Sequence, residues 1–96
     1  MSEQLWKDAI ERRLVVEFES DDKRRTGEPH ALGVQKDGLA VELFQTHSSD
    51  DSPPRWRTFY LENISNATIT DRAFVCRRDF NPYQDRWERL DVFVKP

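Results

Sequence analysis

Residues 55–64, Arg-Trp-Arg-Thr-Phe-Tyr-Leu-Glu-Asn-Ile, form the densest run of aromatic and β-prone side chains in the chain. Successive side chains of a strand point to opposite faces. Arg55, Arg57, Phe59 and Leu61 therefore share one face, and Trp56, Thr58 and Tyr60 share the other. Bulky groups on both faces predict a strand that is central in its sheet or packed on both sides, not an exposed edge. Leu61 to Ile64 breaks the alternation, as a short turn between two strands would.

The rest of the chain can be placed around this segment. Residues 1–12 read as a helix of about three turns, with Ser2 as its cap and Glu3 near its positive end. Leu5, Trp6, Ala9 and Ile10 make its apolar face, which must dock to be stable. From Arg13 the period changes to two, and Leu14, Val16 and Phe18 alternate with Val15, Glu17 and Glu19 in a first strand. Arg24 to Lys36 is a second, broken strand, where Gly27 and Pro29 signal a bulge or an edge; His30, Leu32 and Val34 share a face of its latter half. Asp37-Gly38 is a hairpin signal, and a third strand runs from Leu39 to about His47. Ser48 to Pro54 is an exposed, mobile loop by composition. A fifth strand covers Ile64 to Thr70. Residues 71–96 are less periodic but hold Phe74, Phe80, Tyr83, Trp87, Val92 and Phe93, enough apolar surface to dock on the body; Val92 to Val94 suggests a last strand.

Length gives 96 residues, one domain with one core. Three Trp, six Phe and two Tyr exclude a disordered chain. One cysteine, Cys76, excludes an internal disulfide, and no Cys/His spacing suits zinc. Neither a signal region nor a membrane span is expected, and a cytoplasmic setting fits. A net charge of -3 argues against a generally basic nucleic-acid binder. Residues 51–96, however, carry eight basic side chains against seven acidic ones, and seven of the eight are Arg. Arginine suits bidentate contact with phosphate or carboxylate, although surface ion pairs account for many such residues.

Five short strands, tight connections and a one-turn element before the fifth predict a mainly β fold: a five-stranded SH3-like or Sm-like barrel (13–70) with an N-terminal helix and a docked C-terminal extension. An OB-type barrel competes, but it usually has a longer helix between its third and fourth strands.

Glu11-Arg12-Arg13-Leu14, Glu28-Pro29-His30-Ala31-Leu32-Gly33, Trp56 to Ile64, Phe74, and Arg78-Asp79-Phe80-Asn81-Pro82 occur in an order that resembles the WYL domain family. The likeness is to its short stand-alone bacterial members and covers nearly the whole chain. The resemblance implies an Sm-like or SH3-like barrel that senses a ligand, a nucleotide or single-stranded nucleic acid, in transcription regulation. The Trp-Tyr-Leu triplet that names the family would fall at Leu39-Ala40-Val41, and Tyr60 and Asn63 stand where its fourth strand often carries Arg.

The candidate ligand-binding residues are Arg57, His30, Arg55, Trp56, Tyr60 and His47. Arg57 with His30 and His47 could meet an anion at one end of the barrel. Arg55, Trp56, Arg57 and Tyr60 interleave charge and rings, as single-stranded nucleic acid requires. The structural alternatives are a turn-capping His30, an exposed His47, a Trp56 packed on the helix or tail, and arginines paired with acids. Arg77-Arg78 is a second candidate contact or a solvated pair. Cys76 beside them has either a lowered pKa or a packing role. No catalytic constellation, metal site or cofactor motif is present, so a non-enzyme is expected. A regulatory protein partner or a homodimer using Trp56, Tyr60 and Tyr83 is the competing function.

Overall fold

The computed structural model describes residues 3–36 and 38–95. The elements run α1 (Glu3–Arg12), β1 (Leu14–Ser20), β2 (Lys23–Gln35), β3 (Gly38–Ser48), β4 (Arg55–Tyr60), a 3-10 turn (Leu61–Asn63), β5 (Ser65–Ala73) and β6 (Arg89–Phe93). The Ser2 cap and Asp37 of the hairpin signal lie outside the described residues. Gln35 pairs with Gly38 across that tight connection, and Gly38 has φ of +134°, a conformation that favours glycine.

All strand pairs are antiparallel, in the order β4-β3-β2-β1-β5, and β6 pairs with β2. The fold is mainly β with one short helix, but the sheet is not closed into a barrel. The strand that organises it is β2. One of its edges pairs with β3 along residues 25–35; the other pairs first with β1 (residues 23–27) and then with β6 (residues 31–34). β4, by contrast, ends the order, with β3 as its strand partner. Its two bulky faces record packing on both sides instead of hydrogen bonding on both edges.

The expected bulge in β2 exists, and it lies inside the sheet. Pro29 opposes Leu43 and Ala31 opposes Glu42, so His30 is the extra residue on β2. A second irregularity, with Thr46 extra on β3, separates the pairs Thr26–His47 and Gly27–Gln45. The two extra residues are on opposite strands, so the original register is restored beyond them. Gly33 is needed where β6 crosses: a Cβ there would lie 2.1 Å from the Arg89 carbonyl oxygen.

The core lies between α1 and one face of the sheet. Trp6, Ala9 and Ile10 of the helix meet Val16, Phe18, Val41, Leu43, Phe59 and Leu61. Trp6, Phe18 and Phe59 follow one another edge to face, with centroids 5.6 and 5.2 Å apart. Of the predicted core, Leu14 is half-buried; Val15, placed on the other face by strict alternation, is buried beside Val16. The extension docks through Phe74, Phe80 and Val94, whereas Tyr83 is 76% exposed, against expectation, and touches the edge of Phe93.

Candidate functional site

β4 sends its alternate side chains into two different environments. Trp56 packs with the extension, while Arg57 leans over Phe59, its neighbour on the core-facing side. His30 therefore does not converge with Arg57; it lies on Trp56's side of the sheet, with ring centroids 4.9 Å apart. His47, beyond the Thr46 irregularity, pairs with Thr26 and is exposed. Tyr60 shares the Trp56 face, opposite Ala40. The expected cluster of Arg57, His30 and His47 is thus divided by the strand itself.

Arg55 and Arg57 remain together, and the structure adds a residue that the sequence reading missed. Arg25 of β2 is 3% exposed, and its guanidinium donates to the Ser20 carbonyl (3.3 Å) and to Gln45 Oε1 (2.8 Å). Asp21 lies 3.8 Å from it at the surface. Arg25 and Arg57 both approach the Phe59 ring, at 5.1 and 4.8 Å from its centroid. The Arg57 side chain has no hydrogen bond or ion pair among the described residues. Burial lowers its pKa, neighbouring Arg25 and Arg55 add to the effect, and Asp21 and Asp50 oppose it. Gln45 Nε2 and Ser20 Oγ next to this cluster are buried without partners. Asp50, in the adjoining loop, is held well below the carboxylate range by the Ser52 hydroxyl, with the Ser48 hydroxyl and Ser52 amide contributing. Arg25 follows Lys23 and Arg24 at the polar end of β2, where periodicity alone does not distinguish a buried arginine from an exposed one.

On the opposite face, His30 is fully buried within Trp56, Phe74 and Phe80. A carbonyl can only accept, so the 2.8 Å contact of Nδ1 with the Glu28 carbonyl places the ring hydrogen on Nδ1. Nε2 then accepts the Arg77 amide at 3.2 Å. Burial lowers the imidazole pKa; the Glu28 carbonyl and the Glu28 and Asp79 carboxylates oppose this, and Arg77 reinforces it. His30 is a packed, neutral residue at the irregularity inside β2, and it caps no turn there. Trp56 packs on the tail, donates from Nε1 to Asp79 (2.9 Å) and stacks on Phe80.

Arg77 is not half of a solvated pair. Its Nε donates to Glu28 at 2.9 Å, and its guanidinium lies 3.6 Å from the Phe44 centroid, whereas Arg78 is exposed. An open groove of about 550 Å³ runs along Glu28 and residues 75–79. Burial raises the Cys76 thiol pKa, against the small effect of Arg13, which contradicts an activated thiol and agrees with packing. Elsewhere arginines pair with acids: Arg24 with Glu17 and Glu19, Arg72 with Glu17, and Arg86 with Glu42. Among the described residues, no group of three His, Cys, Asp or Glu side chains is placed to hold a metal ion, and no helix is long and apolar enough to cross a membrane.

No protein-family model matches the chain, and neither does any curated protein or solved structure.

Proposed function

We propose that the chain is a non-catalytic ligand-sensing module of WYL-like type, which takes a nucleotide or a short single-stranded nucleic acid through its phosphate at Arg57. The observation that carries this reading is the state of Arg57: half-buried, stacked on Phe59, flanked by Arg25 and Arg55, and without a carboxylate partner. A desolvated charge of this kind gains most from an incoming anion. The strand order, with one 3-10 turn joining β4 to β5, supports an SH3-like or Sm-like frame. A cytoplasmic, regulatory setting accompanies the reading. Because Trp56 is covered by Phe80, the ligand is held by its phosphate without stacking on Trp56.

Fluorescence anisotropy with a labelled oligothymidylate and with a labelled nucleotide, each at low and high salt, tests this. Binding should weaken as salt rises and vanish in Arg57→Gln. No binding at low salt removes the proposal.

Tyr83 and Val75 favour a second reading, a surface for a protein partner or a second copy, because they are 76% and 81% exposed. Concentration-dependent light scattering of the native chain and Tyr83→Ala distinguishes it.

A further inference from the structure

Residues 74–88 form neither helix nor strand, yet they cross the outer face of β2, β3 and β4 and are tied at both ends. At the entrance, the Phe74 amide donates to the Arg13 carbonyl (2.9 Å); at the exit, the Glu88 amide donates to the Val34 carbonyl (2.8 Å), directly before β6. Between these ties the strap is held by four polar contacts: Arg77 N–H to His30, the Arg77 side chain to Glu28, Trp56 to Asp79, and Arg86 to Glu42. Phe80 completes the attachment, covering Trp56 at 5.9 Å with planes inclined by 26°.

We infer that His30 is a proton-operated latch for this strap: a proton taken at Nε2 breaks the bond to the Arg77 amide and frees residues 75–87 from the sheet while α1 and β1–β5 stay folded. The balance of bonds is simple. The incoming proton occupies the lone pair that now accepts the Arg77 N–H, and two N–H donors then face each other without an acceptor. Nδ1 keeps its hydrogen on the Glu28 carbonyl throughout.

The charged groups around the ring come from two elements. Glu28 lies on β2, while Arg77 and Asp79 lie on the strap. The two carboxylates would welcome an imidazolium, but each is already engaged, Glu28 by Arg77 and Asp79 by the Trp56 indole. The closed state therefore disfavours the charge, and the open, hydrated state accepts it. Trp6, Phe18, Val41 and Phe59 carry no ionisable group and lie in the core against α1, so the body has no reason to open with the strap. Release uncovers Trp56 and Phe44 and dissolves the groove that residues 75–79 form with Glu28.

The test follows amide hydrogen exchange of the full chain from about pH 7.5 to about pH 5, corrected for intrinsic exchange, with the His30 ring nitrogens observed by NMR. The Arg77 amide and the Trp56 indole should lose about tenfold in protection per pH unit below about 6.5, until the ring of the closed state also ionises. The amides of Val16 and Val41 should keep theirs. Glu42→Gln weakens the Arg86 attachment and should lower strap protection at every pH, with the fall below about 6.5 still in place, and His30→Gln should remove that fall. If His30→Gln fails to fold, the native chain still decides. A strap protected down to about pH 5, a strap and core that open together, or a His30 that ionises with the Arg77 amide still protected each overturns the inference.

Discussion

The guanidinium of Arg57 rests 4.8 Å from the centre of the Phe59 ring, and Arg25 reaches the same ring from β2 at 5.1 Å. The ring gives both cations an attractive surface where Arg57 has no acid to pair with. Arg25 differs in that its N–H groups are committed to Ser20 and Gln45. Arg57 is therefore the member of the pair with donors to spare.

Arg57→Gln should change stability by about 1 kcal/mol or less, since it removes one partly exposed cation–ring contact. Arg25→Gln should cost more, because it strips the buried Gln45 amide oxygen of its donor. Thermal melts of the two variants side by side check the order; equal losses would mean that Arg57 is structural.

Phe59→Ala should destabilise the protein by about 3–5 kcal/mol, as it removes the buried end of the Trp6–Phe18–Phe59 series and the surface under both arginines. Denaturant titration measures this, and a near-native midpoint would contradict the packing.

Stability should fall as pH drops through about 6.5, the ordinary histidine value. His30 has a folded pKa below that value, so the unfolded chain binds the extra proton first; the loss continues until the folded ring ionises too. Glu42 acts in the opposite sense. Burial raises its carboxyl pKa against the pull of Arg86, so protonation above the ordinary value of 4.5 favours the folded chain. Glu42→Gln should therefore steepen the acid loss near pH 5, measured by denaturant midpoints across pH. An unchanged profile in this variant would show that the opposing effect is absent.

Gly33→Ala should displace β6, since its Cβ would meet the Arg89 carbonyl oxygen at 2.1 Å and the Trp87 ring at 3.0 Å. A loss of about 1–3 kcal/mol is expected. Hydrogen exchange should place the loosening at residues 89–94, and an unaffected β6 would contradict the close crossing.

Local elements were legible in the sequence because their signals are local. The helical face of Trp6, Ala9 and Ile10, the period-two run of β1, the hairpin at Gly38 and the turn at Leu61–Asn63 each rest on neighbouring residues. Partnership was less legible. The aromatic density of β4 suggested a central strand, yet β2, interrupted by Gly27, Pro29 and Gly33, has three strand partners. Glycine weakens strand patterns, while here it lets β6 approach. The candidate residues fared likewise: adjacency kept Arg55 with Arg57, but His30 lies on another strand, at an irregularity in pairing, and reaches the side of Trp56 instead. Arg77 was judged by its neighbour Arg78, although its partner Glu28 is far away in sequence.

The irregularity at His30 separates two properties that usually go together. A regular ladder assigns every residue a cross-strand partner, and His30 is the residue left over in that count. Deleting it would leave Pro29–Leu43, Ala31–Glu42 and Leu32–Val41 consecutive, so the ladder would close with each partner and each face kept. The imidazole thus occupies a place that the pairing of β2 with β3 and β6 does not require. A β2 shorter by this one residue keeps its neighbours and loses the ring.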